Sequence, residues 1–178
     1  MPYYERRLPH WNIVGRPLFV TFRLHDSLPA PRIFPPERLT RGQAFVAMDR
    51  LLDTATTGPL HLNHPEIASL VVDALHAGDI RFRRYVLHAY VVMANHVHVL
   101  VTPNVVSTKW LGPLKGFTAH QANRILARSA TPFWQDESFD HLVRSNIEFR
   151  RIREYIEFNP VTAGLAAAPE RYKWSSAG

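Results

Sequence analysis

Two histidines separated by one residue lie in an apolar run, HVHVLV at positions 96–101. The alternation is typical of a β-strand, in which successive side chains point to opposite faces, so His96 and His98 share one face. Residues two apart in a strand are separated by about 7 Å, which lets two imidazoles lean onto one metal ion. A strand with two partly exposed histidines and no metal is the alternative interpretation.

A tyrosine and an asparagine, Tyr155 and Asn159, lie four residues apart near the end of the chain. In a helix this spacing puts both on one face, beside Ile152 and Ile156, which we expect to dock that face onto a sheet. With an ordinary pKa of about 10, a tyrosine attacks at neutral pH only with the help of a base or a strongly activated electrophile. A core tyrosine and a helix-end asparagine are the alternative interpretation.

Together these two sets predict a metal-assisted reaction. Two neutral imidazoles and one amide oxygen leave positions open on a divalent cation, which acts as a Lewis acid on a phosphodiester. This supplies the electrophile that Tyr155 needs. Glu154 and Glu157 are close to Tyr155 in sequence, but helical spacing directs them elsewhere, so the residues identify no general base.

The first half of the chain predicts one strand and two helices. Residues 18–24 alternate as a strand with one face in the core. After a proline-rich loop, a helix begins near Glu37 and runs to about Leu52. A second helix has Pro65 in its first turn and ends at Gly78.

The second half predicts a hairpin followed by two helices. Residues 80–92 and 96–101 read as strands joined by a tight turn at Ala94 and Asn95. A helix follows over 107–128, irregular near Gly112 and Pro113, and then an extended piece over 133–142. The last helix opens with a capping box, Ser145 and Glu148, and stops at Asn159 before Pro160. We therefore expect an α+β fold with an antiparallel sheet covered on one face by helices.

Length and composition predict one globular domain over residues 1–178. Hydrophobic residues make up 46% and charged residues 20%, which is ordinary for a globular protein. There is no cysteine, which excludes disulfides, thiolate metal sites and a cysteine nucleophile. No apolar run approaches the roughly 20 residues of a spanning helix, and the N-terminus lacks the apolar stretch of a signal peptide. We expect a cytoplasmic protein with no membrane partner.

The charge pattern permits nucleic-acid binding. The formal net charge is +6, and no carboxylate occurs between Asp79 and Asp136. The candidate phosphate contacts are Lys115, Arg124 and Arg128 on the predicted helix. An N-terminal arm that reaches the bases is predicted from Arg6, Arg7 and Arg16. Ordinary surface solvation is the alternative for each of them.

Several motifs in fixed order resemble one family. These are HAYVVMANHVHVLV, LKGFTAHQANRIL, FWQDESFDHLVRS, YIEFNPVTAGL and RYKWSS. They are similar to those of the REP-associated tyrosine transposases, relatives of the small single-strand transposases that carry a His-hydrophobic-His (HUH) motif. The resemblance runs from about Arg6 to Ser176.

The resemblance implies a ferredoxin-like α+β domain that acts in DNA transposition and recombination. Such an endonuclease binds single-stranded DNA folded into REP-like hairpins and cleaves it with a tyrosine assisted by Mg²⁺ or Mn²⁺. The tyrosine becomes joined to a 5′-phosphate and a 3′-OH is released. By position, His96 and His98 match the metal-binding pair, Tyr155 matches the nucleophile and Asn159 matches a third polar ligand.

Two departures from the family pattern leave these reactive groups in place. Ala94 stands where proline is usual, and Thr131-Pro132 stands where glycine is common. A non-catalytic regulator that binds structured nucleic acid with the same fold is the alternative function, and a His-ligated hydrolase of small molecules is a third. Monomer and homodimer, with the site completed in cis or in trans, both stay open.

Overall fold

The computed structural model describes residues 13–28 and 41–178. These two ranges contain four strands and four longer helices. They are β1 (Leu18–Arg23), α1 (Arg41–Asp53), α2 (Pro65–His76), β2 (Tyr85–Val92), β3 (His96–Pro103), α3 (Ser107–Ile125), β4 (Phe139–Leu142) and α4 (Asn146–Thr162). The predicted start of α1 near Glu37 lies outside the described residues. None of the helices described is both long and apolar enough to cross a membrane.

The strands form a four-stranded sheet in the order β2-β3-β1-β4, with every neighbouring pair antiparallel. β3 lies at the centre against β1, with Thr21 opposite His98 and Arg23 opposite His96. The C-terminal tail runs alongside β2. The amide of Val92 in β2 donates to the carbonyl of Trp174 in the tail at 2.8 Å. This arrangement confirms the predicted α+β class with its ferredoxin-like antiparallel sheet.

Helices cover both faces of the sheet, so the expectation of one covered face is wrong. On one face, Val97, Val99 and Val101 pack with α2 and α3. On the other, Phe19 and Leu100 pack with α1 and α4. The single-face interpretation failed because the strands are apolar on both sides, so each side must be covered.

The first strand of the hairpin begins at Tyr85 and not at Ile80, because α2 continues into a five-residue π turn, Ala77–Arg81. The amide of Phe82 closes this turn on the carbonyl of Ala77 at 2.9 Å. Gly78 therefore does not end the helix as predicted. Its missing side chain leaves room for Tyr85, whose hydroxyl donates to the carbonyl of Leu75 at 2.8 Å.

We expect Gly78→Ala to destabilise the protein. A Cβ at Gly78 would overlap the hydroxyl oxygen of Tyr85. Overpacking of a filled core costs about 1–3 kcal/mol. Gly116→Ala is the matched control, because a Cβ there meets nothing within 4 Å and alanine favours the helix. Urea unfolding of both variants is the measurement, and equal stability would contradict the close packing at Gly78.

The last helix begins as predicted and ends later. Ser145 accepts from the amide of Glu148 at 3.1 Å, which is one half of the capping box. The helix runs through Pro160 to Thr162 and does not stop at Asn159. A proline in the last turn removes only one backbone hydrogen bond, and Gly164, at φ +73°, then reverses the chain.

The third helix is also more regular than predicted. It runs without interruption from Ser107 through Gly112 and Pro113 to Ile125, and so ends before Arg128. Ala127, at φ +52°, turns the chain away at its end. The extended piece after it forms a single bridge, Leu24 to Trp134, before β4.

Candidate functional site

The histidine pair lies in the first half of β3, on the face that α1 and α4 cover. Both side chains are fully buried, and their ring centroids are 4.7 Å apart. The valines between and after them face the other way, as the alternation predicted. Nδ1 of His98 lies 2.7 Å from Oγ1 of Thr21 on the neighbouring strand, which leaves its Nε2 directed to the helices.

Two aspartates of α1 that the sequence analysis did not identify complete this part of the site. Oδ1 of Asp49 lies 3.1 Å from Nε2 of His98 and 3.5 Å from Nε2 of His96. Oδ1 of Asp53 lies 3.6 Å from the same nitrogen of His96. Asp49 is buried and Asp53 nearly so. Asp49, His96 and His98 form a group with one ligand atom each, all within 4.8 Å of one another.

A hydrogen-bond chain assigns the tautomer of His96. The side-chain amide of Asn95 donates through Nδ2 to the carbonyl of Leu52 at 3.0 Å, which fixes its orientation. Its Oδ1 then faces Nδ1 of His96 at 2.7 Å and can only accept. The proton of His96 therefore sits on Nδ1, and Nε2 presents a lone pair toward the two aspartates.

Burial and charge set the protonation of the group. Burial, followed by the neighbouring His98, lowers the pKa of His96 to about 3 despite the charge of Asp49, so this imidazole is neutral at physiological pH. Burial would raise the pKa of Asp49, but the two imidazoles and Asn159 outweigh it and hold that pKa below its usual value. Burial and the charge of Asp49 raise the pKa of Asp53 to about 7.

Tyr155 of α4 lies beside the histidines of its own chain. Its ring centroid is 5.8 Å from that of His98, and its hydroxyl donates a hydrogen bond to Oδ2 of Asp49. Nδ2 of Asn159 lies 3.5 Å from the same oxygen. Asp49 thus contacts the histidine pair through one carboxylate oxygen and the Tyr155–Asn159 pair through the other.

Several polar atoms here have no hydrogen-bond partner within the described ranges. They are Nε2 of both histidines and the buried oxygens Oδ1 of Asp49, Asp53 and Asn159. The lone pair on Nε2 of His96 faces two carboxylate oxygens in a buried site, which is unfavourable unless a cation lies between them. Two imidazole nitrogens and a carboxylate oxygen are donors that divalent cations accept. The residues present therefore fit a divalent metal ion.

The glutamates near Tyr155 in sequence do not contact it, in line with the helical spacing. Glu157 pairs with Nε of Arg153 at 3.1 Å and is reached by the hydroxyl of Ser176 at 3.3 Å. The described residue that accepts from the phenol is Asp49. A carboxylate on the apolar stripe of α1, between buried Phe45 and Leu52, was the signal in the sequence for it.

The predicted DNA contacts lie apart from this centre. Arg6 and Arg7 are outside the described residues, while Arg16 and Arg124 are exposed.

Nζ of Lys115 donates to the carbonyls of Gln135 at 2.6 Å and Asp136 at 3.0 Å. Arg128 donates to Nε2 of His61 at 2.7 Å, and burial, Arg128 and His64 lower the pKa of that imidazole. Helix α3, which carries Lys115 and Arg124, packs on the opposite face of the sheet.

Comparison with known proteins gives a similarity of fold to a solved structure. No family model matches the chain, and no curated protein matches its sequence. The fold is similar to that of a solved REP-associated tyrosine transposase bound to a REP hairpin, with a TM-score of 0.54 over 99% of this chain and 82% of that one. The two sequences are 18% identical, so the similarity is one of fold.

Proposed function

We propose that the protein is a metal-dependent tyrosine transposase that cleaves and rejoins single-stranded DNA through a 5′-phosphotyrosine intermediate. The observation that carries the proposal is the position of Asp49. Its carboxylate touches both histidines on one side and the hydroxyl of Tyr155 on the other. A phenol, a buried carboxylate and two imidazoles in contact are the parts that such a reaction requires.

Each side chain has a separate role in this proposal. The hydroxyl oxygen of Tyr155 attacks the phosphorus, the bond from phosphorus to the 3′-oxygen breaks, and a phosphotyrosine forms. Asp49 orients the phenol and accepts its proton as the new bond forms, and the proton is passed to the departing 3′-oxygen. Because one phosphodiester replaces another, the released 3′-OH can reverse the attack on a second strand without an external energy source.

His96, His98 and Asp49 would hold the divalent cation, with Asn159 as a further candidate ligand. The cation supplies Lewis-acid activation of the phosphodiester. Asn95 and Thr21 hold the two imidazoles so that each presents Nε2. Two nitrogen donors suit Mn²⁺ better than Mg²⁺, which prefers oxygen ligands.

The nucleic-acid partner in this proposal is DNA that contains a hairpin. It is supported by the fold shared with a transposase bound to a REP hairpin, and by the absence of carboxylates between Asp79 and Asp136. Arginine is the main cation of that segment, and its planar guanidinium suits phosphate. The proposed DNA contacts remain Arg6, Arg7, Arg16, Lys115, Arg124 and Arg128.

The test is to incubate the protein with a hairpin-bearing single strand that is labelled on the 3′ side of the cleavage site. We expect a denaturation-resistant protein–DNA adduct in Mn²⁺ and none in EDTA. Cleavage without an adduct in Mn²⁺ would contradict the tyrosine mechanism. Tight hairpin binding with neither cleavage nor adduct in Mg²⁺ or Mn²⁺ would instead support a non-catalytic regulator.

We expect Asp49→Asn to slow adduct formation by about 10²–10⁴-fold, the range for loss of a proton acceptor. The variant keeps the size of the side chain but loses the charge that faces Tyr155 and the histidines. Asp53→Asn is the matched control, since it lies one helical turn away and contacts His96 but not Tyr155. Single-turnover adduct rates are the measurement. Equal rates for Asp49→Asn and wild type would remove Asp49 from the mechanism.

A further inference from the structure

We propose that the protein holds one unpaired nucleobase of its DNA in a cavity on the face of the sheet opposite Tyr155, an inference that rests on the proposed function. The cavity has a volume of about 550 Å³ and lies between α2, the π turn and α3. This volume is within the range of small-molecule sites, about 300–1,000 Å³. None of the residues that form the candidate catalytic centre lines it.

The cavity has an apolar interior and an aromatic rim. Tyr85 and Trp110, both buried, line it together with Leu114. Phe82 and Phe117 also line it, yet they are 51% and 53% exposed. Exposed aromatic side chains that continue an apolar cavity form the kind of patch that marks a ligand-binding groove. Flat rings of this kind suit stacking on a base, since every base has a π-face.

Two arginines lie beside the same rim. The guanidinium carbons of Arg81 and Arg84 lie 5.3 Å and 4.8 Å from the ring centroid of Phe82, and both residues line the cavity. Contact with the ring holds the guanidinium groups near the cavity while leaving N–H donors for a phosphate. A base in the cavity places its own phosphate close to the rim. Aromatic rings combined with cations are the mark of sites for unpaired nucleotides.

The polar groups of the cavity match a base better than a purely apolar ligand. Trp110 is 1% exposed, and its indole N–H has no acceptor within the described ranges. Asp73 lines the cavity and can accept from an exocyclic amine. Asp79, nearby on the π turn, instead accepts from the amide of Leu87 at 3.3 Å.

The π turn builds this site. It widens the end of α2, and the chain then returns so that the amide of Arg84 donates to the carbonyl of Gly78 at 2.9 Å. Turns of this kind recur at functional sites. Since the cavity lies on the α2–α3 face and Tyr155 on the α1–α4 face, the held base is not next to the cleaved phosphate. It anchors another unpaired position of the hairpin DNA.

The experiment uses one hairpin sequence in which 2-aminopurine replaces each unpaired base in turn. Wild-type protein should change the fluorescence at one position. Phe82→Ala should remove that change and weaken binding about 5- to 100-fold, as expected for loss of a stacking ring. Ile80→Ala is the matched control, because Ile80 is on the same turn, is 73% exposed and does not line the cavity.

The possible outcomes separate this inference from the proposed function. Adduct formation by wild type, with no 2-aminopurine position that depends on Phe82, would overturn the base site and leave the transposase proposal intact. If the wild-type protein forms no adduct and does not bind the hairpin, both the base site and the transposase proposal are overturned. A dimer that forms without DNA and is disrupted by Phe82→Ala would assign the cavity to a second copy of the chain and overturn the base site.

Discussion

Tyr155→Phe is expected to abolish the protein–DNA adduct while hairpin binding stays within about twofold of wild type. The substitution removes one oxygen, the atom that donates to Asp49 and is proposed to attack phosphorus. No other described hydroxyl donates to that carboxylate, so nothing replaces it. Loss of a nucleophile typically lowers the rate by roughly 10⁴-fold or more. The aromatic contacts with Phe19 and Phe45 remain, so folding should be preserved. Gel analysis in denaturant measures the adduct, and anisotropy measures binding.

Tyr172→Phe is the matched control for this experiment. Its phenol also donates a hydrogen bond, to the carbonyl of Val92 at 2.9 Å, but it does not contact Asp49 or the histidines. We expect normal adduct yield from it. An adduct of equal yield from Tyr155→Phe would show that another group is the nucleophile, and unchanged cleavage without an adduct would assign the attack to water.

The part of the site that lies on one strand could be predicted from sequence because a strand has a fixed period. Alternation alone placed His96 and His98 together and Val97, Val99 and Val101 on the other side. The spacing of Tyr155 and Asn159 likewise put both on one side of α4, where both reach Asp49. Whether the histidine pair meets the Tyr155–Asn159 pair depends on how α4 crosses the sheet. The local spacing of residues does not determine that crossing.

Asp49 was missed for a related reason. An isolated carboxylate in an amphipathic helix usually faces water. Which way the apolar stripe of α1 points depends on which face of the sheet the helix covers. The expectation of one covered face left α1 without a defined partner. Once both faces are covered, α1 must place its stripe of Phe45, Asp49 and Leu52 against the sheet, and Asp49 then meets the histidines.

The π turn was missed because its residues suit a strand. Ile80, Phe82 and Tyr85 are typical of β-structure, and Gly78 is a common helix end. What decides the outcome is a tertiary contact, the approach of the Tyr85 hydroxyl to Gly78 and the carbonyl of Leu75. Lys115 illustrates the same limit, since the sequence shows its charge but not the two carbonyls that it contacts.

His96→Ala and His98→Ala are expected to lower Mn²⁺ affinity at least about 100-fold and to abolish cleavage. Each change removes an Nε2 that has no partner within the described ranges and faces Asp49. Even residues that only support a metal ligand cost 10- to 100-fold in affinity when they are lost. Hairpin binding should persist, because the proposed DNA contacts are other residues. Titration with Mn²⁺ and thermal unfolding with and without the metal are the measurements.

The thermal measurement separates loss of metal from loss of structure. A metal that binds only the folded state stabilises it by about 2.7 kcal/mol at 100 times its Kd, so wild type should melt at a higher temperature in Mn²⁺. The melting temperature of each alanine variant should be the same with and without Mn²⁺. His88→Ala is the matched control, since His88 lies on β2 and contacts Thr102 and Phe149, away from Asp49. If the two variants keep the Mn²⁺-dependent shift and cut normally, the histidine pair does not bind the metal. The lone pair of His96 that faces Asp49 then needs another cation or a proton to balance it.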